Sequence, residues 1–157
     1  ETAKIILQNK SDISITKIEK LVEISHGLWE GKLENEINEK WPELLKKWHE
    51  KPEEVIMPEG ECIGEVSKRS VKAWEEICLT QKKKDLTLLV AHDAVNKTLI
   101  CEILGIDVSN IWMIKQGNGG ITIIDIFNDP KKDHIICALN ITTHLGGILD
   151  STATGAL

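Results

Sequence analysis

Leu86-Thr87-Leu88-Leu89-Val90-Ala91-His92-Asp93-Ala94-Val95-Asn96-Lys97 is the stretch on which the fold turns. Asp85 opens a short apolar run bounded by turn signals, the pattern of a strand buried on both faces. After His92-Asp93 the pattern becomes helical from Ala94 to Leu104, with Gly105 at the C′ position where a left-handed residue ends a helix. A buried strand running straight into a helix is the repeating unit of a layered α/β domain. In open sheets of that class, ligands bind beyond the carboxyl ends of the strands. Free amides at a helix start also attract anions. His92 is therefore a candidate phosphate ligand; the plainer alternative is a core or capping histidine, with Asp93 as N-cap.

Working back from this junction, residues 63 to 77 show the clearest amphipathic helix. Ile63, Val66, Ser70, Trp74 and Ile77 line one face, and Lys68, Arg69, Lys72, Glu75 and Glu76 cover the other. Lys82-Lys83-Lys84 is expected at the helix end, where cations complement the dipole. From Glu34 to Glu50, Ile37, Trp41, Leu44, Leu45 and Trp48 share another helical face, which Pro42 kinks or divides. Residues 13 to 24 mix strand-like alternation with charge and lead into Ser25-His26-Gly27. Residues 1 to 9 read as a short helix already under way, as if sequence were missing in front. On the C-terminal side, Ile111 to Lys115, Gly120 to Phe127 and His134 to Leu139 are β-branched segments. The last two are joined by the turn-forming Asn128-Asp129-Pro130. The tail from Ile141 to Leu157 reads as an extended surface segment.

The composition bounds the function. A chain of 157 residues, 41% apolar and 28% charged, can bury one core and is expected to form one domain over residues 1 to 157. A net charge of −6 argues against a nucleic-acid partner, which wants clustered cations. No apolar run approaches the ~20 residues of a membrane span, so no membrane role is expected. Cys62, Cys78, Cys101 and Cys137 are widely spaced, with Cys78 and Cys101 in apolar helical stretches. That spacing suits reduced thiols of a cytoplasmic protein better than disulfides or a metal site. No cofactor is implied.

Among acids, Glu23 follows Leu21-Val22 and precedes a loop with Gly27, Trp29, Glu30 and Gly31. An acid in that place can serve as a general acid if it holds its proton at the working pH. The competing reading is an ordinary solvated carboxylate. Glu59, Glu61, His26 and His144 are weaker candidates of the same kind.

Together these segments resemble the histidine phosphatases, the phosphoglycerate-mutase-like superfamily. Leu21-Val22-Glu23 to Trp29-Glu30-Gly31 resembles the segment in which an acid precedes a Gly-aromatic-Glu-Gly turn. Pro58-Glu59-Gly60-Glu61, with Arg69 and Ala73-Trp74-Glu75-Glu76-Ile77, resembles the Pro-Gly-Gly-Glu-Ser loop and its following helix. Leu88 to Asp93 resembles the strand ending in the second catalytic histidine, and Glu1-Thr2-Ala3 the end of an Arg-Ala-x-Glu-Thr-Ala helix. Four motifs in order cover nearly the whole chain. The wording around His92 and the ending Ser151 to Leu157 are most similar to phosphoglycerate-mutase-like phosphatases of cyanobacteria and plants.

The resemblance implies a three-layer α/β sandwich with a mixed, mostly parallel sheet flanked by helices, here lacking its first strand. It implies phosphomonoester hydrolysis through a phosphohistidine intermediate. His92 would hold the phosphate as the second histidine, Glu23 would donate the proton, and Asp93 and Ala94 would lend backbone amides. The partner would be a small phosphorylated metabolite. The Arg-His-Gly nucleophile motif is absent from these residues, and Ser25-His26-Gly27 is no substitute. Asp93 also stands where glycine or asparagine is common, and its carboxylate would repel a phosphate unless turned away. Two alternatives stay open. One is mutase-type phosphoryl transfer, disfavoured by the acidic stretch Glu34 to Glu39. The other is a non-catalytic incomplete domain that self-associates as a homo-oligomer or pairs with its missing half.

Overall fold

The computed structural model describes residues 1–10, 12–127 and 134–146. Five α-helices carry most of the architecture: α1 Thr2–Ile6, α2 Glu34–Lys40, α3 Pro42–Glu50, α4 Ile63–Thr80 and α5 Asp93–Leu104. Pro42 divides the expected long helix. It occupies the first turn of α3, where its missing N–H is not needed, and Trp41 both ends α2 and caps α3. The start of α4 is secured by Glu65, whose carboxylate accepts from the Cys62 amide at 2.9 Å. Its end differs from expectation. Lys82-Lys83-Lys84 lies beyond Thr80, in a turn closed by the Asp85 carboxylate on the Lys82 amide, so the lysines do not cap the helix.

The core forms where α4 and α5 meet. Val66 and Ala73 of α4, Val95, Leu99 and Ile100 of α5, and Trp29, Ile37, Trp48, Val55 and Met57 from the preceding segments are all buried in it. Between the two helices, the Ser70 and Thr98 hydroxyls lie 2.9 Å apart with no exposure. One hydroxyl donates to the other, and the one that accepts donates to a carbonyl of its own helix, Ser67 for Ser70 or Val95 for Thr98, so the buried polar pair is satisfied. Trp48 meets Trp112 edge-on at 5.3 Å, and the Trp112 indole N–H donates to the Trp48 carbonyl.

Regular sheet among the described residues is one antiparallel hairpin, β1 Ile121–Asp125 with β2 Ile135–Ile141. Its expected turn, Asn128-Asp129-Pro130, lies outside the described residues, as do residues 147 to 157 of the expected surface tail. Ile124 pairs with Ile136 on the inner side of the hairpin, while Ile121, Ile123, Ile135 and Leu139 are roughly half exposed.

Three segments expected as strands have other forms. Residues 111 to 115 fall largely in the 3-10 helix Val108–Met113, started by the Asp107 carboxylate accepting from the Ser109 amide. Residues 13 to 18 have no regular structure and pass into the 3-10 turn Glu19–Leu21. Residues 86 to 91 have no ladder partner among the described residues. Leu89 and Ala91 pack on the core, whereas Leu86, Leu88 and Val90 are exposed, Leu86 almost completely. The run that reads as buried on both faces is thus covered on one.

Candidate functional site

His92 immediately precedes α5, with extended backbone at φ −125°, ψ 173°. Its carbonyl accepts the first helical bond, from the Asn96 amide at 2.9 Å. Its imidazole caps nothing and is exposed, so it is neither a core nor a capping histidine. With no side-chain cap, the amides of Asp93, Ala94 and Val95 have no partner among the described residues. An exposed imidazole beside uncommitted helix amides can receive an anion.

Asp93 does not cap the helix. Its carboxylate turns along α5 to Lys97, with Oδ2 2.8 Å from Nζ. Lys97 is 8% exposed, and its ammonium lies 5.0 Å from the Trp112 ring centre. The acid that would repel a phosphate is therefore turned aside and neutralised by its own helix. This i,i+4 pair is readable in the sequence as a spacing, but its burial against Trp112 is not.

Glu23 sits half-buried between the 3-10 turn Glu19–Leu21 and the loop at Ser25. Its carboxylate accepts only the neighbouring Ile24 amide, at 2.9 Å, among the described residues. The backbone around it is held far more firmly. The single arginine of the chain, Arg69 on α4, donates to the carbonyls of Lys20, Val22 and Glu23 and to both carboxylate oxygens of Glu61. Glu61 in turn accepts from the Ser25 amide at 2.9 Å, and its own amide donates to the Ser25 carbonyl at 2.8 Å. Burial pushes the Glu61 carboxyl upward, but the Arg69 hydrogen bonds, the Ser25 amide and the Arg69 charge together outweigh it. The group lies below the usual carboxylate range.

The loops at 25–31 and 57–61 interlock closely enough to exclude side chains. Leu28 donates its amide to the Pro58 carbonyl, and a Cβ on Gly60 would meet the Ser25 carbonyl oxygen at 2.5 Å. No hydrogen bond joins Glu23 to His92 among the described residues. They are connected through α4, which holds the Glu23 segment by Arg69 and packs on α5 by the adjacent Ser70. Of the weaker candidates, His26 packs edge-on to Trp48 at 6.3 Å, and Glu59 and His144 are exposed. Glu61 is a structural acid bound to Arg69. The part played by Arg69 could not be inferred from spacing, since the three carbonyls it holds lie 46 to 49 residues away. The described residues contain no helix long and apolar enough to cross a membrane.

Residues 1–133 match the sequence model of the histidine phosphatase superfamily, branch 1. Phosphoserine phosphatase 1 of Hydrogenobacter thermophilus is 32% identical over 135 residues, covering 86% of this chain and 62% of that protein. The 2-carboxy-D-arabinitol-1-phosphatase of Triticum aestivum is 30% identical over 129 residues, covering 82% of this chain and 26% of that protein. Among solved structures, YhfR of Bacillus stearothermophilus superposes with a TM-score of 0.78 at 26% identity, covering 87% of this chain and 65% of that one. The chain therefore spans between about a quarter and two thirds of the length of these relatives.

Proposed function

This chain belongs to the histidine phosphatase superfamily, branch 1, and on that premise we propose that it forms part of a phosphomonoester hydrolase working through a phosphohistidine. The substrate is a small phosphorylated metabolite, in keeping with the phosphatase names of its relatives. In the proposed reaction a nucleophilic histidine outside residues 1–157 attacks phosphorus as the bond to the leaving oxygen breaks. Glu23 gives that oxygen its proton. Water then attacks phosphorus, the phosphorus–nitrogen bond breaks, and Glu23 takes a proton back from the water. His92 and the amides of Asp93 and Ala94 hold the phosphoryl oxygens as charge develops on them.

One observation carries this reading: the His92 imidazole is exposed and unbonded at the first turn of α5, where the backbone amides are also uncommitted. A histidine kept for stability would be packed or would cap the helix. Its test is His92→Ala in protein expressed from the complete reading frame around residues 1–157. Loss of one such charge-stabilising donor lowers kcat by about 10²–10³-fold. The melting temperature should stay close to that of the parent. Retained activity with a large fall in melting temperature would return His92 to a packing role.

Hydrolysis is preferred over mutase-type transfer because the region expected to hold a second substrate anion is acidic. Glu34 and Glu36 open α2, and Glu34 faces His49 at 3.5 Å. The incomplete-domain reading also has an observation in its favour, the exposure of Leu86, Leu88 and Val90 on a segment without a ladder partner among the described residues.

A further inference from the structure

We propose that Arg69 is a positioning residue for Glu23, acting with Glu61 as a clamp on the backbone that carries the acid. This rests on the reading of Glu23 as proton donor and goes beyond it by naming what aims that group. A guanidinium has five N–H donors in a fixed plane. In Arg69 all five are used. Nε donates to Glu61 Oε1 at 2.8 Å, Nη1 to the carbonyls of Lys20 at 2.9 Å and Val22 at 2.6 Å, and Nη2 to the Glu23 carbonyl at 3.1 Å and Glu61 Oε2 at 3.0 Å. Three carbonyls within four residues converge on one planar cation, so the chain from Lys20 to Glu23 must wrap around it. Glu61 closes the other side through Ser25.

The Glu23 carboxylate has no comparable anchor, since it accepts only its neighbour's amide among the described residues. The direction of that side chain is therefore set by the backbone, and the backbone by Arg69. A proton donor must come within about 2.6–3.2 Å of the leaving oxygen. A misplacement of about 1 Å can lower the rate by about 10²-fold. Lysine keeps the charge but has three donors and no plane, so it cannot reproduce the clamp.

The test measures kcat and KM for an alkyl phosphate and for p-nitrophenyl phosphate, in protein from the complete reading frame. The variants are Arg69→Lys, Glu23→Gln and the double variant. Arg69→Lys is expected to lower kcat for the alkyl phosphate by about 10–100-fold. KM should change little, and the nitrophenyl rate should fall much less, because nitrophenolate leaves without a proton. The double variant should be no slower than Glu23→Gln alone, the non-additivity of residues acting as one unit. Glu61→Gln provides a second route if Arg69→Lys fails to fold: it removes the carboxylate half of the clamp and should show the same substrate selectivity. Equal slowing of both substrates by the clamp variants, or losses that add to those of Glu23→Gln, would overturn the proposal while leaving Glu23 as the acid. No selective effect of Glu23→Gln itself would sink the acid assignment, and the clamp proposal with it.

Discussion

Glu59 and Gly60 are adjacent residues with opposite requirements. Glu59 adopts a left-handed backbone at φ 58°, a conformation that disfavours side chains by about 1–2 kcal/mol. Gly60 faces the Ser25 carbonyl so closely that a Cβ would overlap it. Replacing Glu59 by glycine relieves that strain but adds about 0.4–1 kcal/mol of unfolded-chain entropy. The melting temperature of Glu59→Gly should therefore stay near the parent's, whereas Gly60→Ala should lose about 1–3 kcal/mol by overpacking. Thermal melts of the two variants check this, and equal tolerance of both would mean that the loops do not interlock as described. Glu23 is tested by leaving group. An alkoxide needs a proton in the transition state, and a placed acid contributes about 10²–10⁴-fold there. Glu23→Gln should therefore slow alkyl-phosphate hydrolysis far more than nitrophenyl-phosphate hydrolysis. Equal slowing of both substrates would point to positioning, and no slowing of either to a solvated carboxylate.

Between elements, one contact with a readable pH signature is the one Glu61 makes from the loop before α4. Its carboxyl is depressed in the folded protein, so it binds its proton less readily folded than unfolded. The stability it contributes is present above the ~4.3 of an unfolded glutamate and is lost as pH falls through the folded value. Urea unfolding at pH 7 and pH 3 should show a larger acid loss in the parent than in Glu61→Gln. An equal loss would place the acid sensitivity elsewhere. The same comparison explains what the sequence makes legible. The helices announce themselves through periodicity and local caps: Pro42 at the start of α3 and left-handed Gly105 after α5 are settled by neighbours in the chain. Strands depend on partners. Ile111 to Lys115 and Leu86 to Ala91 are β-branched or apolar, yet the first is drawn into a 3-10 helix and the second has no ladder among the described residues. The place of His92 at the start of α5 is readable because an apolar run giving way to a helix is local information. The part played by Arg69 is not, because its acceptors are brought to it by folding.

At the scale of the molecule, one apolar edge and one cation decide what residues 1–157 can do alone. Leu86, Leu88 and Val90 lie exposed just before His92, on the segment that leads to the candidate phosphate site. A phosphohistidine pathway also needs a nucleophilic imidazole, and the sequence holds no Arg-His-Gly to supply it. The histidines other than His92 are engaged or out of context. His26 packs on Trp48, His49 faces Glu34, His134 lies edge-on to Trp74 at 5.5 Å, and His144 is exposed outside any matching motif. The one arginine spends all its donors on Glu61 and the Lys20–Glu23 backbone, so it cannot also hold a phosphoryl group. Purified residues 1–157 should accordingly hydrolyse p-nitrophenyl phosphate no faster than background. Coexpression with a segment that supplies an Arg-His-Gly strand should produce turnover, and that turnover should depend on His92. Turnover by residues 1–157 alone, abolished by His92→Ala, would show that a histidine within this chain takes the phosphoryl group, and the assignment of His92 as a holder of phosphate would have to be abandoned.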